Sequence, residues 1–293
     1  MLTTPIRGAG VALVTPFFSD GKIDYPALRR VTEYTIAKGI DFLVVLGTTA
    51  ETPTLDKDEK KEIVRVILEV NNGRKPVVLG IGGNDTRAVI KLVEEQSFTG
   101  IHYLLNVAPY YNKPNQSGLY KHFEAVADCS PVPVILYNVP GRTGSNISAD
   151  TTLRLAADKK NIAAIKEASG NFDQIMTILR DRPKGFAVLS GDDAITLPLL
   201  ALGAQGVISV IANACPDRMS QLVSAMDRKD MERAQKLHYE MLELVSMIFA
   251  EGSPAGIKSA LHHLGLCEEN LRLPLTPVSD TLGTKIRDYL KKL

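Results

Sequence analysis

Short apolar runs recur along this chain, and each is followed by a segment with helical spacing. The runs fall at residues 11–16, 42–46, 76–80, 101–105, 133–137, 162–166, 187–189 and 206–211. A strand that is apolar on both faces belongs in a parallel sheet, where crossover helices cover both sides. Eight strand-then-helix units within about 225 residues fit a closed (β/α)8 barrel, the TIM barrel, better than an open sheet.

The helices between the runs carry their own punctuation. Asp24 caps the first, with Leu28, Val31 and Thr35 on one face and Gly39 as its stop. Asp56 and Glu59 have capping-box spacing ahead of a stripe at Ile63, Ile67 and Val70, and Asn72-Gly73 ends that helix. A helix is expected over 84–98, and another carries Leu119, Phe123 and Val126. Pro216 opens the helix after the eighth strand.

Three further helices are expected after the barrel. They run over 231–249, with Leu237, Met241, Leu244, Val245 and Ile248 at helical spacing, then 254–264 and 279–293. They have no strand to cover, so they should pack on the outside of the barrel or on a neighbouring subunit. The reading is therefore a barrel over 1–228 and a C-terminal three-helix extension over 229–293.

Charge and cysteine usage exclude several classes of function. The net charge of this 293-residue chain is +1, with 45% hydrophobic and 23% charged residues. Lys57, Lys60 and Lys61 alternate with Asp56, Asp58, Glu59 and Glu62, so they read as a solvated helix face. Neither nucleic acid nor a membrane is expected as a partner. Cys129, Cys215 and Cys267 are odd in number and widely spaced, which suits a reducing compartment and neither a disulfide framework nor a zinc site. No apolar run nears the roughly 20 residues of a membrane span. Residues 1–5 lack the pattern of a signal peptide, so the expected location is the cytoplasm.

In such barrels the chemistry sits at the carboxyl ends of the strands. There this chain has Thr48 and Thr49 after the second strand, and Tyr110 and Tyr111 after the fourth. Tyr137 follows with Arg142 in its loop, then Lys166 at the sixth strand and Gly191 after the seventh. A strand-end lysine can simply reach solvent. An amine that loses water there is instead pushed toward its neutral form, which attacks carbonyls to give a Schiff base. The set suits an amine nucleophile, phenol and hydroxyl proton relays, and an arginine clamp for a carboxylate. No cluster with metal-ligand spacing joins it, and no cofactor is expected.

Weaker signals are read plainly. Gly80-Ile-Gly82-Gly83 is a tight turn and not a dinucleotide cradle. The Gly141-Arg-Thr-Gly144 loop could hold an anion on its amides, a weak signal by itself. Asp192-Asp193 reads as an N-cap, His102 as a packing histidine, and His262-His263 as surface.

Five motifs occur in order, each at a strand end. They are Gly47-Thr-Thr-Ala-Glu51, Pro109-Tyr-Tyr-Asn112, Tyr137-Asn-Val-Pro-Gly-Arg-Thr-Gly144, Ile165-Lys-Glu-Ala-Ser-Gly170 and Ser190-Gly-Asp-Asp193. With them the chain resembles the dihydrodipicolinate synthases over essentially its whole length. These belong to the pyruvate-dependent class I aldolases, which include N-acetylneuraminate lyase. The resemblance implies condensation of pyruvate with L-aspartate-4-semialdehyde, the first committed step of the diaminopimelate route to lysine.

It also implies roles for individual residues. Lys166 would form the imine and then the enamine. Tyr137 would shuttle protons, linked through Thr48 to Tyr111 of a neighbouring subunit. Thr48 and Thr49 would hold the pyruvate carboxylate, Arg142 the carboxylate of the aldehyde, and the main chain at Gly191 and Ile208 would shape the pocket. The assembly implied is a homotetramer built from dimers.

Two departures from the family pattern bear on this. Ala50 stands where glycine is usual, which is tolerable at negative φ. The lysine-binding positions of regulated members keep Asn84 and Tyr110 but have Ala88, Lys57 and Lys60 in place of a glutamate and histidines. Weak or absent inhibition by lysine is therefore expected. Two other readings remain: a sialic-acid or keto-deoxy-sugar acid lyase, against which Arg142 argues, and a non-catalytic binding barrel, which would not need Lys166 with its relay.

Overall fold

The structure is a computed structural model that describes residues 5–293. Residues 1–4, on which most of the leader reading rests, lie outside the described residues. The strands are β1 (Gly8–Ala12), β2 (Phe42–Val45), β3 (Val77–Gly80), β4 (Tyr103–Val107), β5 (Val134–Asn138), β6 (Ile162–Glu167), β7 (Ala187–Ser190) and β8 (Gly206–Ser209). In that order they close into a barrel. The helices are α1 (Tyr25–Ala37), α2 (Lys57–Asn71), α3 (Thr86–Glu95), α4 (Gln116–Cys129), α5 (Pro140–Thr143) and α6 (Ala149–Asp158). They continue with α7 (Phe172–Asp181), α8 (Thr196–Ala201), α9 (Pro216–Asp227), α10 (Met231–Ala250), α11 (Ala255–His263) and α12 (Asp280–Leu290).

Two strands begin or end away from the expected positions. β1 starts at Gly8, three residues before the expected run. Glycine there serves close approach: a Cβ on Gly10 would lie 2.0 Å from the Phe42 ring. β4 begins two residues late and runs through Asn106 to Val107. Asn106 is buried inside the strand because its amide donates to Ile81 O at 2.8 Å, which satisfies the polar group without water.

The described residues fall into two compact units. One comprises 5–7 with Val77–Ile208, and so holds β3 to β7 and β8 up to Ile208. Its core includes Val89, Leu104, Phe123, Val134, Ile165 and Val188, all fully buried. Each such side chain contributes roughly 1.5–3 kcal/mol on leaving water. β5 and β6 are parallel, with a register shift after the Val134↔Ile162 pair that brings Ile135 opposite Ala164. The bulge sets the phase of everything beyond it. Tyr137 then pairs with Lys166, and Asn138 with Glu167.

The other unit comprises Gly8–Pro76 with Ser209–Leu293. Asp24 caps α1 by accepting from Ala27 N–H at 2.9 Å, and the Asp56–Glu59 capping box opens α2 in both directions. Ile63 and Ile67 are buried as expected, while Val70 is half-buried. Asn213 ties the segment after β8 to β1, accepting from Val14 N–H and donating to Ala12 O. α10 lies against α9 and α12 and buries Leu237, Met241, Leu244, Val245 and Ile248. Among the described residues no helix is long and apolar enough to cross a membrane.

Candidate active site

The first unit brings Lys166, Tyr137 and Gly191 together. Successive strand residues face opposite ways, so Tyr137 and Lys166 share one face at the paired ends of β5 and β6. Lys166 is 5% exposed and Tyr137 6%. The Lys166 Nζ stands 4.2 Å from the centroid of the Tyr137 ring, over its face. An ammonium held there gains the attraction of the ring quadrupole, about 0.5–2 kcal/mol, against its loss of water.

Gly191 gives this lysine room. A Cβ at that position would lie 3.0 Å from Lys166 Cε, 3.1 Å from Lys166 Cγ and 2.7 Å from Ala168 Cβ. Its N–H donates to Glu167 O at 2.7 Å, which fixes the turn after β7 against β6. Ile208, on β8, is almost fully buried.

Arg142 and Tyr111 stand on two loops that are joined. Arg142 lies in α5, a single turn closed by Gly144 at a φ of 68°. The backbone N–H groups of Arg142 and Thr143 donate to Val139 O, and that of Gly144 donates to Pro140 O. Those amides are therefore committed to the turn and do not form an anion cradle. The Arg142 side chain is exposed and has no ion-pair partner among the described residues. Tyr111 N–H donates to Thr143 O at 3.3 Å, tying the segment after β4 to this turn. Tyr111 has a φ of 73° and is 88% exposed, so its ring stands in solvent.

In the second unit Thr48 and Thr49 form a 3-10 turn after β2, with Thr48 exposed and Thr49 buried. Thr15 Oγ1 donates to Ala50 O, and Thr52 Oγ1 donates to Gly47 O, each at 2.8 Å. Ala50 is outside the set of residues at positive φ, which explains how alanine is tolerated there. The left-handed positions fall on either side of it, Leu46 at 56° and Glu51 at 55°.

Sequence reasoning missed two buried carboxylates. Glu51 is fully buried and accepts from Lys258 Nζ at 2.5 Å and from Arg272 N–H at 3.0 Å. Lys258 is itself fully buried on α11, donates to Asn270 O at 2.8 Å and stands 4.2 Å over the Phe17 ring. Burial pulls its pKa down, and Glu51 opposes that. Glu167 is equally buried beside Lys166, but on the other face of β6. Asn138 Nδ2 donates to its two oxygens at 3.0 and 3.2 Å, Ser169 N–H at 3.1 Å and Gln174 Nε2 at 3.3 Å. Burial pushes its carboxyl up, and these bonds only partly offset that.

His102 Nδ1 accepts from Val77 N–H, a packing role as expected. Asp192 accepts from Ala194 N–H as an N-cap. A Cβ on Gly82 would lie 2.5 Å from Val107 Cγ1, so the glycine run there serves close packing. His262 and His263 are half-buried and not simply surface: His262 pairs with Glu268, and His263 contacts Gly283 O at 3.1 Å. Among the described residues no group of three or more histidine, cysteine, aspartate or glutamate side chains is arranged to hold a metal ion.

Comparison with known proteins gives the family of the chain. Residues 5–293 match the model of the dihydrodipicolinate synthetase family. A 4-hydroxy-tetrahydrodipicolinate synthase from Phocaeicola vulgatus is 51% identical over 293 residues, covering 100% of this chain and 99% of that protein. The enzyme of the same name from Parabacteroides distasonis is 49% identical over 98% of this chain and 97% of its own length. Among solved structures, dihydrodipicolinate synthase from Aquifex aeolicus superposes with a TM-score of 0.94 at 42% identity, over 98% of each chain. That from Thermotoga maritima gives 0.95 at 39% identity, again over 98% of each chain. The chain belongs to the dihydrodipicolinate synthetase family.

Proposed function

We propose that this chain is a lyase that condenses pyruvate with L-aspartate-4-semialdehyde, giving 4-hydroxy-tetrahydrodipicolinate and water. This is the first committed step of the diaminopimelate route to lysine. The observation that carries the reading is the buried Lys166 amine 4.2 Å over the Tyr137 ring at paired strand ends.

In this reading the Lys166 amine attacks the pyruvate ketone. Loss of water gives the imine, and loss of a methyl proton gives the enamine. Tyr137 carries protons to and from the reacting atoms. The enamine carbon then attacks the aldehyde. The amine of the second substrate displaces Lys166 as the ring closes, so the lysine leaves unchanged. Thr48 and Thr49 bind the pyruvate carboxylate, and Thr48 connects Tyr137 to the proton relay. Gly191 and Ile208 supply main-chain pocket wall, and the clearance at Gly191 supports its part. Arg142 clamps the carboxylate of the aldehyde, since a planar guanidinium can bind it with two parallel bonds.

Tyr111 completes the relay from a neighbouring subunit. Its 88% exposure and its left-handed backbone, a conformation that costs about 1–3 kcal/mol, support a ring held out for a partner. The assembly proposed is a homotetramer of dimers in the cytoplasm, each chain a catalytic barrel over 1–228 with an extension over 229–293. Inhibition by lysine should be weak or absent, because Ala88, Lys57 and Lys60 offer its side-chain amine no carboxylate.

The test is borohydride reduction with pyruvate, followed by mass analysis of the adduct. A pyruvyl adduct on Lys166 that is lost in Lys166→Ala is expected, with turnover of the semialdehyde and none of N-acetylneuraminate. An adduct with cleavage of the sugar acid alone would keep the lysine chemistry and overturn the acceptor. No adduct would overturn the whole reading.

A further inference from the structure

Lys166 and Tyr137 occupy one face of the β5–β6 pair, and the next residue on each strand occupies the other. There Glu167 meets Asn138 in a cluster that is closed to water. Both are 0% exposed. The partners of the Glu167 carboxylate among the described residues are neutral donors: the side-chain amides of Asn138 and Gln174, and the backbone N–H and hydroxyl of Ser169. A buried carboxylate usually faces a cation, because ionisation away from water is costly. One kept with neutral donors fixes the direction of several of them at once.

The bonds lead outward from there to the Arg142 turn. Asn138 Nδ2 also donates to Asn146 Oδ1 at 2.8 Å, and Asn138 Oδ1 accepts from Ile147 N–H at 2.9 Å. Asn146 Nδ2 donates to Gln174 Oε1 at 2.8 Å, and Gln174 returns to Glu167. The segment that leaves α5 is thus pinned to the ends of β5 and β6 and to α7. In the same stretch Thr143 accepts from Tyr111 N–H.

We propose that Glu167 is a positioning residue for the reaction: acting through Asn138 and Asn146, it sets the mutual placement of Tyr137, Lys166 and the Arg142 turn. This rests on the reading of Lys166 as the imine lysine. It goes beyond that reading by assigning a function to the hidden face of the same strands. The carboxylate touches no substrate. Its contribution is alignment, and misplacement by about 1 Å can cost a hundredfold in rate.

Glu167→Gln tests this with almost no change of shape. The new amide would meet the amides of Asn138 and Gln174 donor to donor. Expected is a fall in kcat of about tenfold to a hundredfold, a slower approach to the trapped pyruvate adduct, and a smaller change in KM for pyruvate. The double variant Asn138→Asp/Glu167→Gln exchanges the carboxylate and the amide across the pair. It should recover most of the lost turnover, which a general structural defect would not do. Wild-type kinetics in Glu167→Gln, or no recovery in the double variant, overturns the proposal. If Glu167→Gln does not fold, Gln174→Ala is measured in its place, since it removes one donor from the half-buried rim. A several-fold loss of kcat supports the proposal, and wild-type kinetics overturns it. Failure of the underlying reading looks different: the wild-type protein itself then gives no adduct on Lys166.

Discussion

Glu51 and Glu167 are both fully buried, and both adjoin residues proposed to handle substrate, yet their surroundings differ in kind. Glu51 faces a buried ammonium, with the pair closed by Asn270 O and Arg272 N–H. Glu167 faces only neutral donors, two side-chain amides with the backbone N–H and hydroxyl of Ser169. In the first case the Coulomb attraction offsets two desolvated charges, so removing either member leaves the other stranded. In the second no opposite charge is at stake. Burial raises the carboxyl, and the surrounding donors are what it organises. A buried pair of the first kind holds the Thr48–Thr49 turn to the C-terminal helices. A neutral-donor cluster of the second kind holds two strand ends in register.

The largest effect should come from breaking the charged cluster. Lys258→Met leaves Glu51 without its cation and should destabilise the protein by about 3–5 kcal/mol in urea unfolding. Adding Glu51→Gln should recover most of that, because the stranded charge is gone. A mild effect of Lys258→Met would mean that Arg272 N–H alone satisfies the carboxylate, and the contrast would collapse.

The neutral cluster should break more softly. Asn138→Ala removes the bifurcated donor to Glu167 and the acceptor for Ile147 N–H, and should cost about 1–3 kcal/mol in the same measurement. A loss as large as that of Lys258→Met would show that Glu167 behaves as a stranded charge after all.

The smallest effect is a slope with pH. The folded pKa of Glu167 lies above its ordinary value of 4.5, so the native chain keeps this proton longer than the unfolded chain. Stability should therefore fall as pH rises from the ordinary carboxylate value through the raised one, and level off above it. Comparing the pH dependence of unfolding in wild type and Glu167→Gln isolates this contribution, and the variant should lack it. The opposite sign would mean that the donors outweigh burial.

Much of this was legible in the chain. The eight strands show in sequence because each is apolar on both faces. Lys166 stood out because it ends such a run. The start of β1 is hard to read because glycines at 8 and 10 look like a loop; the Asp41 side chain excludes a Cβ at the first and the Phe42 ring at the second. A glutamate after a strand-end lysine reads as solvated, so no local pattern marks the burial of Glu167. A lysine in a half-apolar helix reads as its wet face, so nothing local marks Lys258 either. Arg142 was legible by its loop, but that the loop is a closed helical turn with its amides committed was not.

The sequence by itself determined the number and order of strands, the capped starts of α1 and α2, and the lysine, tyrosine and arginine at strand ends. Those follow from local periodicity and from the chemistry of single residues. Only the tertiary structure decided which carboxylates lose water, which donors surround them, and that Nζ of Lys166 lies over the ring of Tyr137. The physical reason is that burial and partnership are properties of residues brought close by folding: Glu51 and Lys258 are 207 positions apart, and no local pattern encodes their meeting.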